Sequence, residues 1–260
     1  MPAVERDGAS LYYEASGDAE EVVAFHAEAG LGAWSWGWQH RAVAGPFAAL
    51  VLDPRGTGRS SADPGNWTAA TLAADLEAVL ADAGVRRAHL VGCGTGGLVC
   101  LAHALEYDRA ASLSLLGTPA RGAAVDADAL ATLHGDGRAA LEAGLSAAFL
   151  DEHPDAVEQL LAWRTEEDAD EAVWRAQHRA VADLDLTDRL HEVTVPALVC
   201  HGTADRVVPA AAGEALAEGL PRGTWRAFEG TGHLVGVERS RPVNDALVGH
   251  LEDAGAGPLS

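Results

Sequence analysis

The chain contains no lysine: all eighteen of its basic residues are arginines, set against thirty-nine carboxylates for a formal charge of −21. Positive charge this sparse, with no basic cluster, cannot follow a phosphate backbone, which argues against a nucleic-acid partner. The missing lysine beside abundant alanine reads as the coding bias of a GC-rich genome, with adaptation to salt as the alternative. The acidic excess then serves solubility. Cysteine is scarce as well. Cys93, Cys100 and Cys200 are odd in number and each sits in an apolar segment, so reduced, buried thiols in a cytoplasmic protein are expected. No stretch approaches the roughly 20 apolar residues of a membrane span. Residues 1–7 lack the basic and apolar run of a signal peptide, so no membrane association is expected. No spacing of histidines, cysteines and acids suits a metal, and no glycine loop is built to cradle phosphate, so no cofactor is expected. A small molecule remains as the partner class, and oligomeric state has no signature in the chain.

What is present is an alternation of short apolar runs and helical spacing. At 260 residues and 48% hydrophobic, the chain suffices for one sizeable α/β domain. Residues 3–6 and 9–15 flank Asp7-Gly8, a pair that tolerates the positive φ of a tight turn, and predict an opening hairpin. Runs at 22–25, 48–52, 88–91, 111–116, 196–201 and 224–228 predict strands. Leu72, Leu76, Val79 and Leu80 recur at helical spacing within 67–83, with Thr68 to cap the start and Gly84 to end it. Further helices are expected over 98–105, from Ala210, and over about 242–252, with 254–260 as a loose tail. Such alternation builds a mostly parallel sheet. Between 122 and 192 the pattern is helical with acidic faces and no strand. The expected organisation is a core of 1–121 and 193–260 interrupted by a helical cap, 122–192.

The chain is organised around Val91-Gly92-Cys93-Gly94-Thr95-Gly96-Gly97, entered by a strand and left by a helix. Its small residues have the spacing of the nucleophile elbow, G-x-S-x-G, with Gly94 in the serine's place. Asp53-Pro54-Arg55-Gly56-Thr57-Gly58-Arg59-Ser60, the Asp205 loop after 196–201, and Gly230-Thr231-Gly232-His233 follow the same scheme in order. Together these stretches resemble the α/β-hydrolase fold superfamily, in its branch of small bacterial proteins with an inserted helical cap. The resemblance implies an eight-stranded, mostly parallel sheet flanked by helices. It implies Asp205 as the acid and His233 as the histidine. Thr95 and Ala27 would supply the oxyanion-binding N–H groups.

Two departures bear on the chemistry. Glycine carries no side chain, so attack from position 94, and with it the usual acyl-enzyme route, is closed. Cys93 should point into the core, and the family uses the Thr95 backbone rather than its hydroxyl. Where the family reads His-Gly after its third strand, this chain has His26-Ala27-Glu28. A carboxylate beside an oxyanion hole opposes the charge the hole stabilises. The two departures read as one change of chemistry, provided Glu28 turns inward; the alternative is that it faces solvent or pairs with Arg55 or Arg59. His26, Asp53, Arg55 and Ser60 are expected to organise loops. Trp34, Trp36, Trp163 and Trp174 are candidates to wall an apolar pocket.

Asp205 and His233, with Glu28, thus form the candidate catalytic set. A histidine held by a carboxylate works near neutral pH on water or on the substrate itself. The expected activity is acid/base chemistry without a nucleophilic serine: hydration of an epoxide or activated bond, ring closure or elimination on a small apolar metabolite, in specialised-metabolite biosynthesis. The alternatives are a non-catalytic ligand-binding protein, and an esterase whose nucleophile is displaced or was replaced in the laboratory.

Overall fold

The Asp7-Gly8 turn adopts φ of 45° and 74°, the left-handed pair that suits a tight hairpin. It joins β1 (Ala3–Arg6) to β2 (Ala9–Ser16) in a computed structural model that describes residues 2–255. The chain continues through β3 (Val22–His26), β4 (Ala48–Leu52), β5 (Ser61–Ala62), β6 (Ala88–Cys93), β7 (Ala110–Leu116), β8 (Ala197–Gly202) and β9 (Gly223–Phe228). Eight strands lie in the order β1-β2-β4-β3-β6-β7-β8-β9, and the two-residue β5 pairs with β2. From β4 through β9 every pairing is parallel; the pairings of β2 are antiparallel.

Side chains alternate across this sheet with the period of two that a strand imposes. Val23, Phe25, Ala49 and Val91 enter one apolar layer with Val243, Leu247 and Leu251 of the Ser240–Gly255 helix. Ala24, Leu50 and Leu90 enter the other, with Leu76, Val79 and Leu80 of the Ala69–Asp82 helix and Leu216 of the Ala210–Gly219 helix. β6 is buried along its whole length, as the central strand of a doubly covered sheet must be.

Most elements fall where the apolar pattern places them, with shifted ends. The first long helix begins at Ala69, because Thr68 is its cap and forms a reciprocal capping box with Thr71. Residues 33–43, to which the sequence pattern assigns no element, form a turn of tight helix (Ala33–Trp36) and the Gly37–Val43 helix. Neither is long enough to repeat a period. The C-terminal helix includes Ala254 and Gly255, so the expected tail starts too early; the rest of that tail lies outside the described residues.

Residues 122–192 carry five α-helices, Ala127–Leu133, Gly137–Gly144, Ala147–Glu152, Pro154–Glu167 and Glu171–Ala182, and no named strand. This segment is fastened to the loop after β3. Gln177 Oε1 accepts from Gly30 N–H at 2.6 Å, and its amide donates to Arg55 O at 2.8 Å and Thr57 Oγ1 at 2.9 Å. Asp168 Oδ1 accepts from Gly32 N–H at 3.0 Å and Trp34 Nε1 at 2.7 Å, and Ala169 N–H reaches Gly30 O at 2.8 Å.

The loop after β4 is anchored by a buried ion pair. Arg55 Nε and Nη2 meet the two Asp75 oxygens at 2.6 and 2.7 Å, with side chains 2% and 4% exposed. Removing one member leaves the other charge buried without its main partner. Arg55→Ala should therefore cost about 3 kcal/mol or more, read as a lowered urea midpoint with the slope unchanged.

Candidate active site

The ends of four parallel strands converge on one point. β6 leads into Gly94, whose φ of 52° and ψ of −119° make the sharp turn into the Thr95–Glu106 helix. Its N–H is tied to Leu116 O at the end of β7, at 2.8 Å. Gly92 and Gly97 let strand and helix touch there, since a β-carbon on Gly92 would stand 2.5 Å from Gly97 Cα. β8 ends in the turn bearing Asp205, whose Oδ1 accepts from the N–H groups of Val207 and Val208 at 2.8 and 2.9 Å. The loop after β9 brings His233, and the loop after β3 brings Glu28.

Glu28 turns inward. Its Oε2 lies 3.0 Å from His233 Nε2, and His233 Nδ1 lies 2.9 Å from Asp205 Oδ2. All three side chains are fully shielded from solvent. The Glu28 carboxylate also accepts from Ala29 N–H at 2.6 Å, from Thr95 N–H at 3.2 Å to either oxygen, and from the Thr95 hydroxyl. It thus caps the first turn of the Thr95–Glu106 helix, where the helix dipole favours negative charge. Arg55 and Arg59, the outward partners weighed for it, are engaged elsewhere: Arg55 with Asp75, Arg59 with Glu14 and Asp53.

Gly94 and Glu28 explain each other sterically. A β-carbon at position 94 would overlap Glu28 Oε2, come within 2.6 Å of the carboxyl carbon and stand 3.0 Å from His233 Nε2. The carboxylate therefore fills the room that a side chain at the elbow would need.

Charge follows from this packing. Burial pushes the Glu28 carboxyl up, but His233 and the hydrogen bonds from Thr95 and Ala29 outweigh it and hold the group below the usual carboxylate value. Burial likewise opposes ionisation of Asp205, and His233 and His201 more than reverse it, so Asp205 also lies low. Burial alone would depress His233; flanked by Asp205 and Glu28, it is raised instead to about 10. Both carboxyls are thus shifted toward the anion and the imidazole between them toward the cation.

Several expected residues sit differently from the reading of the sequence. The backbone N–H that joins Thr95 at the carboxylate belongs to Ala29, not Ala27. The Ala27 carbonyl packs against Gly96, where it would strike any β-carbon. The four tryptophans are packing residues rather than walls of an open chamber beside His233. Trp36 lies against Phe25 with ring centroids 5.2 Å apart, Trp163 meets Trp38 edge-on at 6.0 Å, and Trp174 stacks on His134 at 4.7 Å. Trp34 is pinned by its bond to Asp168. Asp53 and Ser60 organise their loop: Asp53 Oδ2 accepts from Arg59 N–H at 2.9 Å, and the Ser60 hydroxyl donates to Asp53 O at 2.6 Å. His26 is buried, its Nδ1 3.1 Å from Ala27 O, with burial lowering its pKa. Cys93 is buried, and burial, with Glu28 and Asp205 nearby, pushes its thiol well above the usual value, so it is no thiolate.

One neighbour was not foreseen. His201 Nε2 stands 3.0 Å from the same Asp205 oxygen that meets His233, and 2.9 Å from Val208 O. It sits in a strand with no distinguishing pattern, so only the fold reveals it. Among the described residues no group of three or more His, Cys, Asp or Glu side chains could hold a metal ion.

The sheet, the elbow and the convergence of Asp205 with His233 define an α/β hydrolase, and the sequence profile of the Alpha/beta hydrolase family matches residues 22–246. The chain belongs to that family. It is 34% identical to the "Putative carbamate hydrolase RutD" of Variovorax paradoxus (strain S110) over 257 residues, covering 93% of this chain and 96% of that one. It is 29% identical to the 2-hydroxy-6-oxononadienedioate/2-hydroxy-6-oxononatrienedioate hydrolase of Paraburkholderia phymatum (strain DSM 17167 / CIP 108236 / LMG 21445 / STM815), covering 93% and 90%. Among solved structures, a hydrolase from Pseudomonas aeruginosa PA01 superimposes with a TM-score of 0.82 at 30% identity, covering 96% of this chain and 97% of that one. No helix among the described residues is long and apolar enough to cross a membrane.

The overlap at position 94 has a measurable signature. Gly94→Ala must both strain a left-handed backbone, at about 1 to 2 kcal/mol, and displace Glu28. In a Glu28→Gly background the overlap with the carboxylate is gone, and the backbone cost and the 3.0 Å approach to His233 Nε2 remain. A double-mutant cycle by urea denaturation should give a coupling above about 1 kcal/mol; additive effects would show that the two positions do not compete for space.

Proposed function

We propose that this family member is an enzyme acting on small, largely apolar molecules by proton transfer, with Glu28 and His233 as acceptor and donor and Asp205 holding the imidazole. The reading is carried by one observation: His233 lies between two carboxylates at 3.0 and 2.9 Å, in the place where an elbow hydroxyl would otherwise meet it. An imidazolium is a proton donor and the adjoining carboxylate a proton acceptor, so the pair can protonate an oxygen while deprotonating water or a carbon acid. Hydration of an epoxide or activated bond, ring closure and elimination all need that combination. The hydrolase names of the relatives support water as a co-substrate. Biosynthesis of a specialised metabolite, in the cytoplasm, is the setting we propose, with no cofactor.

A ligand-binding protein without turnover is the second reading. The full burial of Glu28 and His233 favours it, since the site as it stands admits nothing. Incubating the wild type and His233→Ala with a metabolite extract of the source organism separates the two by mass spectrometry. A compound changed by the wild type and not by the variant is the expected result. A compound retained by both and altered by neither would establish the binding protein.

The charge state of His233 sets the pH dependence. Its folded pKa of about 10 exceeds the unfolded value of about 6.5. The stability it contributes is full below about pH 6.5 and is lost as pH rises through about 10. Activity that uses the imidazolium should fall on the alkaline side near pH 10, not near neutrality. Asp205→Asn removes the anion that most favours the charge, so it should bring that alkaline limb down by at least a pH unit.

A further inference from the structure

Asp205 carries more donors than its partnership with His233 requires. Its Oδ1 takes the backbone N–H groups of Val207 and Val208 at 2.8 and 2.9 Å. Its Oδ2 faces two imidazoles, His233 Nδ1 at 2.9 Å and His201 Nε2 at 3.0 Å. His201 Nε2 also lies 2.9 Å from Val208 O, and a carbonyl oxygen can only accept, so this nitrogen bears the proton. The N–H is therefore shared between the carbonyl and the carboxylate. His201 Nδ1 is buried and meets no partner among the described residues.

Packing holds the ring in that orientation. His201 is wholly buried near the end of β8, its ring centroid 5.8 Å from that of Trp225 on β9. Gly213, in the Ala210–Gly219 helix, comes so close that a β-carbon there would stand 2.2 Å from His201 Nδ1. Glycine weakens a helix relative to alanine, and three alanines precede this one. Here the missing side chain makes room for the imidazole.

From this arrangement we infer that His201 is a positioning residue: it donates from Nε2 to Asp205 Oδ2, fixes that oxygen between two imidazoles, and so restrains the hold of Asp205 on the His233 proton. The inference rests on the reading of His233 as a proton donor and deepens it. Each donor on a carboxylate oxygen stabilises its charge and leaves less of it for the next. Glu28, from the loop after β3, and Asp205, from the loop after β8, both face His233 and oppose loss of its proton. His201 acts on Asp205 as the Ala29 and Thr95 donors act on Glu28. A proton donor serves best when it can also let go, and this sharing favours release. Cys93, close to both carboxylates, keeps its thiol proton, and burial pushes His26, His134 and His178, which feel Glu28, toward the neutral form.

Nuclear magnetic resonance of the whole protein, with isotope-labelled histidine, tests this; loss of signals in His233→Gln and His201→Phe identifies each ring. In the wild type His201 should show a protonated Nε2. A bare Nε2 could not donate to Asp205 and would overturn the inference with no variant needed. His201→Phe keeps a ring beside Trp225 and Gly213 and removes the donor. The His233 Nδ1–H signal should then move downfield, and the imidazole should titrate higher by roughly half a pH unit or more. His201→Gln, which returns an N–H near the Nε2 position, should bring both readings back toward the wild type. His201→Leu removes the donor with less bulk should the ring variant fail to fold. A lowered urea midpoint with His233 unmoved would show packing alone and overturn the inference. These readings come from the imidazole and need no substrate. An extract left unaltered would therefore count against the acid/base reading and leave this bond standing, and an unmoved His233 would do the reverse.

Discussion

A buried carboxylate governs this site. Taking an anion out of water costs several kcal/mol unless its oxygens are met by donors and a countercharge. For Glu28 these are the start of the elbow helix, the Ala29 N–H, the Thr95 hydroxyl and the His233 cation. The same placement forbids a β-carbon at position 94, so the absent hydroxyl and the buried carboxylate are one arrangement. Asp205, together with Glu28, holds the His233 pKa above the usual imidazole value.

The frame around this exchange is that of the family. Parallel strands β3, β6 and β8, with β9 beside them, end at one edge of the sheet, and the loops that follow deliver Glu28, Gly94, Asp205 and His233. Open α/β sheets place their ligands at such carboxyl ends. The backbone needs no revision for the chemistry to change, because one loop can offer a side chain into space vacated by another. Family membership thus accounts for the frame and leaves open what chemistry it carries.

Much of this was legible from residue order alone. Apolar runs with the right periods located most strands and the long helices, and four motifs in sequence located Gly94, Asp205 and His233. The suspicion that Glu28 and Gly94 belong together also needed only the string. Its inward orientation did not follow from the string, because a residue after a strand can face either way. Nor did the second N–H donor follow: Ala29 rather than Ala27 reaches the carboxylate because the chain turns sharply after β3, with Gly30 at φ of 77°. The tryptophans were over-read. Aromatic side chains suit a pocket wall and a packed core equally well, and only their neighbours tell which. His201 has the apolar setting of any strand residue, and its contact with Asp205 arises from the tight turn after β8.

The fastening of residues 168–177 to Gly30, Gly32 and Trp34 has a mechanical consequence. Glu28 lies two residues before the first of these anchors. Any motion that lifts the helical segment to admit a molecule also pulls on the loop that carries the carboxylate. Releasing those bonds would loosen the helical segment and the carboxylate's own loop together, as one step rather than two.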